Sequence, residues 1–406
     1  MISQATTLDQ TTETPFARLL GKFRRETSTG RFIPQLDGLR FIAIAAVVLF
    51  HLSGYLASHS PVSFATPPAQ DRLAQLLVHG HYGVQFFFII SGFILALPFA
   101  SHYLRATPRV ELSAYYTRRL TRLEPPYLFS LIAFFAILVM VKGEGVGELF
   151  PHLAAGSVYL HNIIYGTGNR LNGVAWSLEV EIQFYLLVPL LTKLFAIRGR
   201  LGRRMSLITL GLAAIIFQSL FIPGEGPLAL SILSFLQFFL VGFLLADLYL
   251  CEWSEATTRR WAWDMITVAG WLSLPFIWNS GVLIRFVFPV VAFLIYCAVF
   301  RGIITYKVLG NRWLTTIGGM CYSIYLLHYP VINFIFNRSR LFVLTDKFDI
   351  NLLAQIITVI PMLLTISAIF FLLVEKPCMR KDWPRRLLEK IRVGLRPQPQ
   401  PASVAD

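Results

Sequence analysis

Asp37-Gly38-Leu39-Arg40-Phe41-Ile42-Ala43-Ile44-Ala45-Ala46-Val47-Val48-Leu49-Phe50-His51 decides the fold. Ten apolar residues separate an arginine from a histidine, inside an apolar block that runs from 39 to 58. A block of that length crosses a bilayer as a helix. Water cannot satisfy backbone groups in hydrocarbon, so the segment must pair its own N–H and C=O groups. Arg40 and His51 are eleven residues apart, about three turns and about 16 Å of rise. Eleven steps of 100° return to within about 20°, so the two side chains share one face. Arg40 therefore belongs at one mouth of the membrane and His51 past its middle, on the same wall. A snorkelling arginine and a histidine bonded to a neighbouring helix would account for the pair. So would a lined cavity with a charge anchor at one end and a base at the other.

The rest of the 406-residue chain follows the same pattern. It is 55% hydrophobic and only 14% charged, where soluble domains carry about 25% charge, and its mean hydropathy is +0.61. Apolar blocks predict ten spanning helices, near 39–58, 82–99, 126–142, 176–195, 206–223, 228–249, 264–278, 282–300, 314–336 and 353–374. The fold class is an all-α integral membrane bundle. Residues 1–36 read as an N-terminal tail, 37–376 as the transmembrane domain, and 377–406 as a basic, Pro-rich tail. The connection 143–175 is apolar from Leu153 to Ile164, enough for a re-entrant or interfacial helix. With the N-terminus in the cytosol, 27 of the 36 Lys and Arg residues fall in inner segments and 5 in outer ones. That bias puts both termini in the cytosol. The net charge of +14 is concentrated in short loops beside spans, which points to lipid headgroups as partners and away from nucleic acid. Cys251, Cys297, Cys321 and Cys378 show no metal spacing and none lies in an outer segment, which argues against a disulfide framework and a zinc site.

Ionisable residues inside spans are costly and so carry the functional information. Tyr115 to Pro126 holds Arg118, Arg119 and Arg122, which a helix brings together at three- and four-residue spacing. Guanidinium groups so placed suit phosphate, and they suit topological anchoring equally. The fourth span opens with Trp176, Ser177, Leu178, Glu179, Val180 and Glu181. One carboxylate there could orient His51 and the other bind acceptor hydroxyls; a helix N-terminus also favours Glu by its dipole alone. His328 is a second intramembrane imidazole, a residue type that more often packs than reacts. His79 and His81 form a lone H-x-H in an outer loop. Asp247 and Arg285 read as structural.

With these residues in order, the chain resembles the membrane-bound acyltransferase 3 family, which includes polysaccharide and O-antigen O-acetyltransferases. The resemblance is carried by Leu36 to Arg40 with His51, an Arg-x10-His signature, and by Gly83-Val84 through Phe87-Phe88 to Ser91-Gly92-Phe93. Arg119-Leu120-Thr121-Arg122 supplies an Arg-x-x-Arg. Trp176-Ser177-Leu178 with Val180-Glu181 and Phe184-Tyr185, then Tyr322-Ser323 to His328 and Glu375-Lys376-Pro377, complete the set. Phe41, Gln85 and Glu179 depart from the residues common in the family at those places. The resemblance implies a ten-helix bundle in the cell (inner) membrane that transfers an acyl group, acetyl above all, from cytosolic acetyl-CoA or another acyl-CoA to a hydroxyl of a carbohydrate or glycoconjugate. It implies His51 as the catalytic residue, Arg40 as its motif partner, and Arg119 and Arg122 as donor-contacting or structurally required. The residues themselves add Glu181 to the catalytic candidates, Arg40 and Arg118 to the candidate donor-binding set, and Trp176, Glu179 and His328 as candidate acceptor-side residues. Some members carry a fused extracytoplasmic esterase-like domain, and none is expected in a chain that ends about thirty residues after its tenth span.

A thioester is already activated, so no metal is expected; the protein must position a hydroxyl, remove its proton and stabilise an oxyanion. His51 would serve as general base or as transient acyl acceptor. The alternative class is a transporter or flippase for a glycolipid or polysaccharide intermediate, with the same residues lining a pathway. No inverted repeat supports it.

Overall fold

The computed structural model describes residues 32–253, 258–277, 281–339 and 345–380, together with Phe23, Val343 and Trp383. Of the expected tails, 1–36 and 377–406, residues 1–31 other than Phe23 and 381–406 other than Trp383 lie outside the described residues. Helices account for nearly all of it. They are α1 (Pro34–His59), α2 (Gly83–Arg105), α3 (Leu112–Lys142), α4 (Val146–Ser157), α5 (Trp176–Leu191), α6 (Arg200–Phe221), α7 (Leu236–Leu248), α8 (Trp261–Ile277), α9 (Leu283–Arg301), α10 (Arg312–Gly319), α11 (Cys321–Ser339) and α12 (Phe348–Phe370). Among the described residues, eight helical segments are long and apolar enough to cross a membrane. The 17-residue α8 and the 19-residue α11 run between them. The protein is therefore a multi-pass membrane protein, with outward apolar side chains such as Met140 and Phe276 more than 80% exposed where lipid, not water, is their solvent.

Three segments depart from the expected spans. The span expected at 126–142 is the second half of α3, which has 31 residues and is about 46 Å long. Its arginine-bearing start therefore projects beyond a hydrocarbon core of about 30 Å. The span expected at 314–336 is broken at Met320 into α10 and α11. A Cβ on Gly318 would lie 1.8 Å from the Asp37 carbonyl oxygen, so α10 can press its backbone onto the foot of α1 only with glycine there. The connection 143–175 folds back: α4 runs down α3 until Gly156 accepts a hydrogen bond from the Tyr127 hydroxyl at 3.1 Å. Tyr127 lies fifteen residues, about 22 Å, from the end of α3. The segment thus folds back along α3, and its helix starts earlier than the sequence pattern predicts.

The return of α4 is locked by an unusual cap. Tyr159 adopts φ 58°, and the Leu160 N–H donates to Ala155 O at 3.0 Å while Tyr159 N–H donates to Gly156 O at 3.0 Å. That is a Schellman ending, which ordinarily takes glycine. Here the ring stacks on Tyr127 at 4.8 Å, a contact that offsets part of the cost of a left-handed backbone.

Two apolar cores build the bundle. One gathers around α2, α7 and α9, with Phe93, Phe184, Phe239 and Tyr296. The other gathers around α1, α11 and α12, with Leu52, Leu326 and Val359. Helix α1 joins them, sending Leu39 and Ala43 into the first and Ile44, Val48 and Leu52 into the second. Asp247 holds α6 to α7 through Arg203 and, at 2.8 Å, Arg204.

Candidate active site

A cavity of about 900 Å3, its open mouth included, draws its wall from α1, α2, α3, α5 and α11. Arg40, Arg119 and Arg122 line it together with Glu181, Tyr185 and Glu375. The periodicity of α3 explains why two of its three arginines arrive there: Arg119 and Arg122 are three apart and share a face. Arg118 is exposed instead, and its Nε donates to the Ala114 carbonyl at 2.9 Å. Arg40 is 7% exposed and paired with Asp37 one turn earlier. The Arg119 guanidinium lies 5.8 Å from the centre of the Tyr185 ring. Arg122 makes no hydrogen bond or ion pair with a described residue, although it feels the Glu375 carboxylate.

The two carboxylates of α5 take separate paths. Glu181 Oε1 accepts from the Ser91 hydroxyl at 2.5 Å and the Tyr185 hydroxyl at 2.6 Å. Glu179 is 1% exposed, and its Oε2 accepts the Asn162 backbone N–H at 2.7 Å. It thereby caps the short helix His161–Tyr165 from outside. Neither carboxylate is hydrogen-bonded to His51 in this structure: Glu181 is held by Ser91 and Tyr185, and Glu179 by the Asn162 N–H. Trp176 packs on Phe235 and Phe88, with ring centres at 5.3 and 6.4 Å.

His51 does not line the cavity. It is half-buried, with its ring centre 5.1 Å from those of His328 and Tyr329, and it makes no hydrogen bond with a described residue. His328 is fully buried. Its Nδ1 lies 2.7 Å from the Tyr325 carbonyl, which accepts only, so the proton sits on Nδ1 and Nε2 is bare. Nε2 has no partner among the described residues. Tyr325 links the two groups, since it lines the cavity and its ring centre is 5.6 Å from that of His328. Its hydroxyl donates to Val174 O at 2.5 Å and shares a 2.6 Å hydrogen bond with Ser177. The cavity that Arg40 lines thus does not include His51 in its wall; Tyr325 stands in that wall, with the His328 ring centre 5.6 Å from its own.

Outside the spans, a second imidazole pair braces the connection 143–175. His152 Nδ1 lies 2.8 Å from His161 Nε2, and His161 Nδ1 lies 3.2 Å from Thr167 O. Burial draws both below the usual imidazole range, reinforced by Arg170 for His152 and by His152 for His161. Among the described residues, no three of His, Cys, Asp or Glu form a group able to hold a metal.

Several lining residues were not singled out from sequence. Tyr185 follows Glu181 by four, and Tyr325 precedes His328 by three, so helical spacing alone pointed to both. Glu375 stood in the closing motif, and the π-helical turn Phe371–Glu375 turns it inward, where its Oε2 accepts the Ser323 backbone N–H at 3.0 Å.

Residues 33–373 match the family model described as an acyltransferase domain. Among curated relatives, the chain is similar to the O-acetyltransferase OatA of Staphylococcus aureus, at 29% identity over 75% of this chain and 51% of the relative. It is also similar to the peptidoglycan O-acetyltransferase OatA of Listeria monocytogenes, at 24% identity over 74% of this chain and 50% of the relative. The chain spans about half the length of the curated relatives it matches. No solved structure matches.

Proposed function

The chain belongs to the acyltransferase domain family, and from that membership we propose that it moves an acetyl group from acetyl-CoA to a hydroxyl of a cell-envelope glycan. Peptidoglycan is the first acceptor to test, because a relative carries that name. The observation that carries this reading is the gathering of Arg40, Arg119 and Arg122 around one cavity, with an unengaged His51 beyond Tyr325 and His328.

The guanidinium groups take the phosphates of the donor, for which planar forks are suited. The pantetheine arm then lies along the cavity toward Ser177 and Tyr325. Glu181, held by Ser91 and Tyr185, keeps the Tyr185 ring under Arg119. For the thioester to meet His51, the Tyr325 ring turns aside and gives up its bonds to Val174 and Ser177. Neutral His51 removes the proton of the acceptor hydroxyl as its oxygen attacks the thioester carbonyl. The C–S bond breaks, and the imidazolium returns the proton to the departing thiolate. If His51 is the transient acyl acceptor instead, the same imidazole attacks first and the hydroxyl second. The bare Nε2 of His328 is a second acceptor beside it. Trp176, already covered on Phe235 and Phe88, offers its remaining face to a sugar ring, while Glu179 holds the outer segment in place. The setting is the cell (inner) membrane, with the arginines on the cytosolic side.

His51→Ala tests the assignment in membranes supplied with labelled acetyl-CoA and glycan. Transfer should be lost while acetyl-CoA binding and protein level are kept. Undiminished transfer would remove His51 from the reaction.

A further inference from the structure

Pro125 and Pro126 both lie within α3. Proline has no N–H, so the carbonyls four residues earlier have no donor within the helix. Those carbonyls belong to Thr121 and Arg122, in the same turn that carries Arg119 and Arg122 to the cavity. An unfilled carbonyl near a membrane is costly, and a proline-broken turn is free to bend.

The structure supplies donors from elsewhere in the chain. The Trp383 indole Nε1–H donates to Thr121 O at 2.9 Å, from 262 residues away. The Trp383 backbone N–H reaches Arg380 O at 3.5 Å, which ties the indole to the segment that follows the last membrane helix. Two residues along α3, the Tyr322 hydroxyl donates to Leu123 O at 2.8 Å, and the Tyr322 ring lines the cavity. The arginine turn is therefore held from two sides by side chains of other elements.

We propose that Trp383 is a positioning residue for the donor pocket: its indole N–H fills the carbonyl that Pro125 leaves vacant and so fixes the angle at which α3 presents Arg119 and Arg122. This rests on reading the cavity as the acyl-CoA site. Trp383 touches neither donor nor acceptor; it acts through the backbone of α3. A residue from what the sequence suggested was a tail thereby becomes part of the pocket's frame.

The test uses the full-length protein in detergent, with acetyl-CoA as the probe. Trp383→Phe keeps a ring and deletes the N–H. The KM for acetyl-CoA should rise about two- to tenfold, the worth of one such hydrogen bond, while kcat and the acceptor KM hold. Pro125→Ala adds an N–H opposite Thr121 O, so the double variant Trp383→Phe/Pro125→Ala should regain at least half of the lost donor affinity. Parental donor affinity in Trp383→Phe overturns the proposal. So does a parallel fall in kcat, acceptor affinity and melting midpoint, and so does donor affinity that the second substitution leaves unrecovered. If the parent protein binds no acetyl-CoA, the pocket reading falls together with this one. If the parent binds and Trp383→Phe binds equally, only this one falls.

Discussion

Arg122→Ala should weaken acetyl-CoA binding about 10- to 100-fold, and the size of that loss follows from what each arginine already touches. Arg40 is neutralised by Asp37, and Arg119 lies over the Tyr185 ring. Arg122 lines the cavity without a hydrogen bond or ion pair to a described residue, so its fork is the one most available to a phosphate. A hydrogen bond to a charged group contributes roughly 1.5–3 kcal/mol, which is about 12- to 160-fold in Kd. The mouth is open, and water and salt trim the upper end. Glu375 keeps its bond from Ser323, so removing Arg122 does not strand that carboxylate. Isothermal titration of the purified protein with acetyl-CoA reads the effect. Arg118→Ala is the control, because Arg118 is exposed and bonded to its own helix; it should change Kd less than twofold. Arg122→Lys, which keeps the charge and loses the fork, should fall between. Equal losses for Arg118→Ala and Arg122→Ala would refute the argument, since net charge would then matter and the cavity would not.

Two further outcomes follow from the connection 143–175. Glu179→Ala leaves the Asn162 N–H without its acceptor and should cost roughly 1–3 kcal/mol, seen as a lower melting midpoint, whereas Glu179→Gln keeps an acceptor oxygen and should recover most of it; equal midpoints for the two variants would sink the capping role. The His152–His161 pair is held below the usual imidazole range by burial, so the unfolded chain binds more protons than the native one once pH falls below about 6.5. Stability is then full above that pH and declines beneath it. Hydrogen exchange in 146–165, corrected for its intrinsic rate, should be faster at pH 5 than at pH 7.5, and His152→Gln should flatten the difference.

The face shared by Arg40 and His51 was legible because both lie on one helix and a fixed period relates them. The same held for Arg119 and Arg122. What sequence could not supply was pairing across distance. Glu181 meets Ser91, ninety residues away, and no pattern along α5 announces that. The proline pair at 125 and 126 predicted a helix starting at 126. The helix instead continues through them, and the Trp383 indole, from a remote part of the chain, fills the Thr121 carbonyl that Pro125 leaves without a donor. The break at Met320 depends on Gly318 meeting the backbone of α1, a contact made only once both elements are in place.

A cavity cut into a membrane protein must not become a hole through it. The hydroxyl of Tyr325, bonded at once to Val174 and Ser177, joins α11 to the entrance of α5 in the wall of the cavity. On the proposed acyl-CoA reading, that wall keeps a bound thioester from water beyond Tyr325 until the ring turns aside.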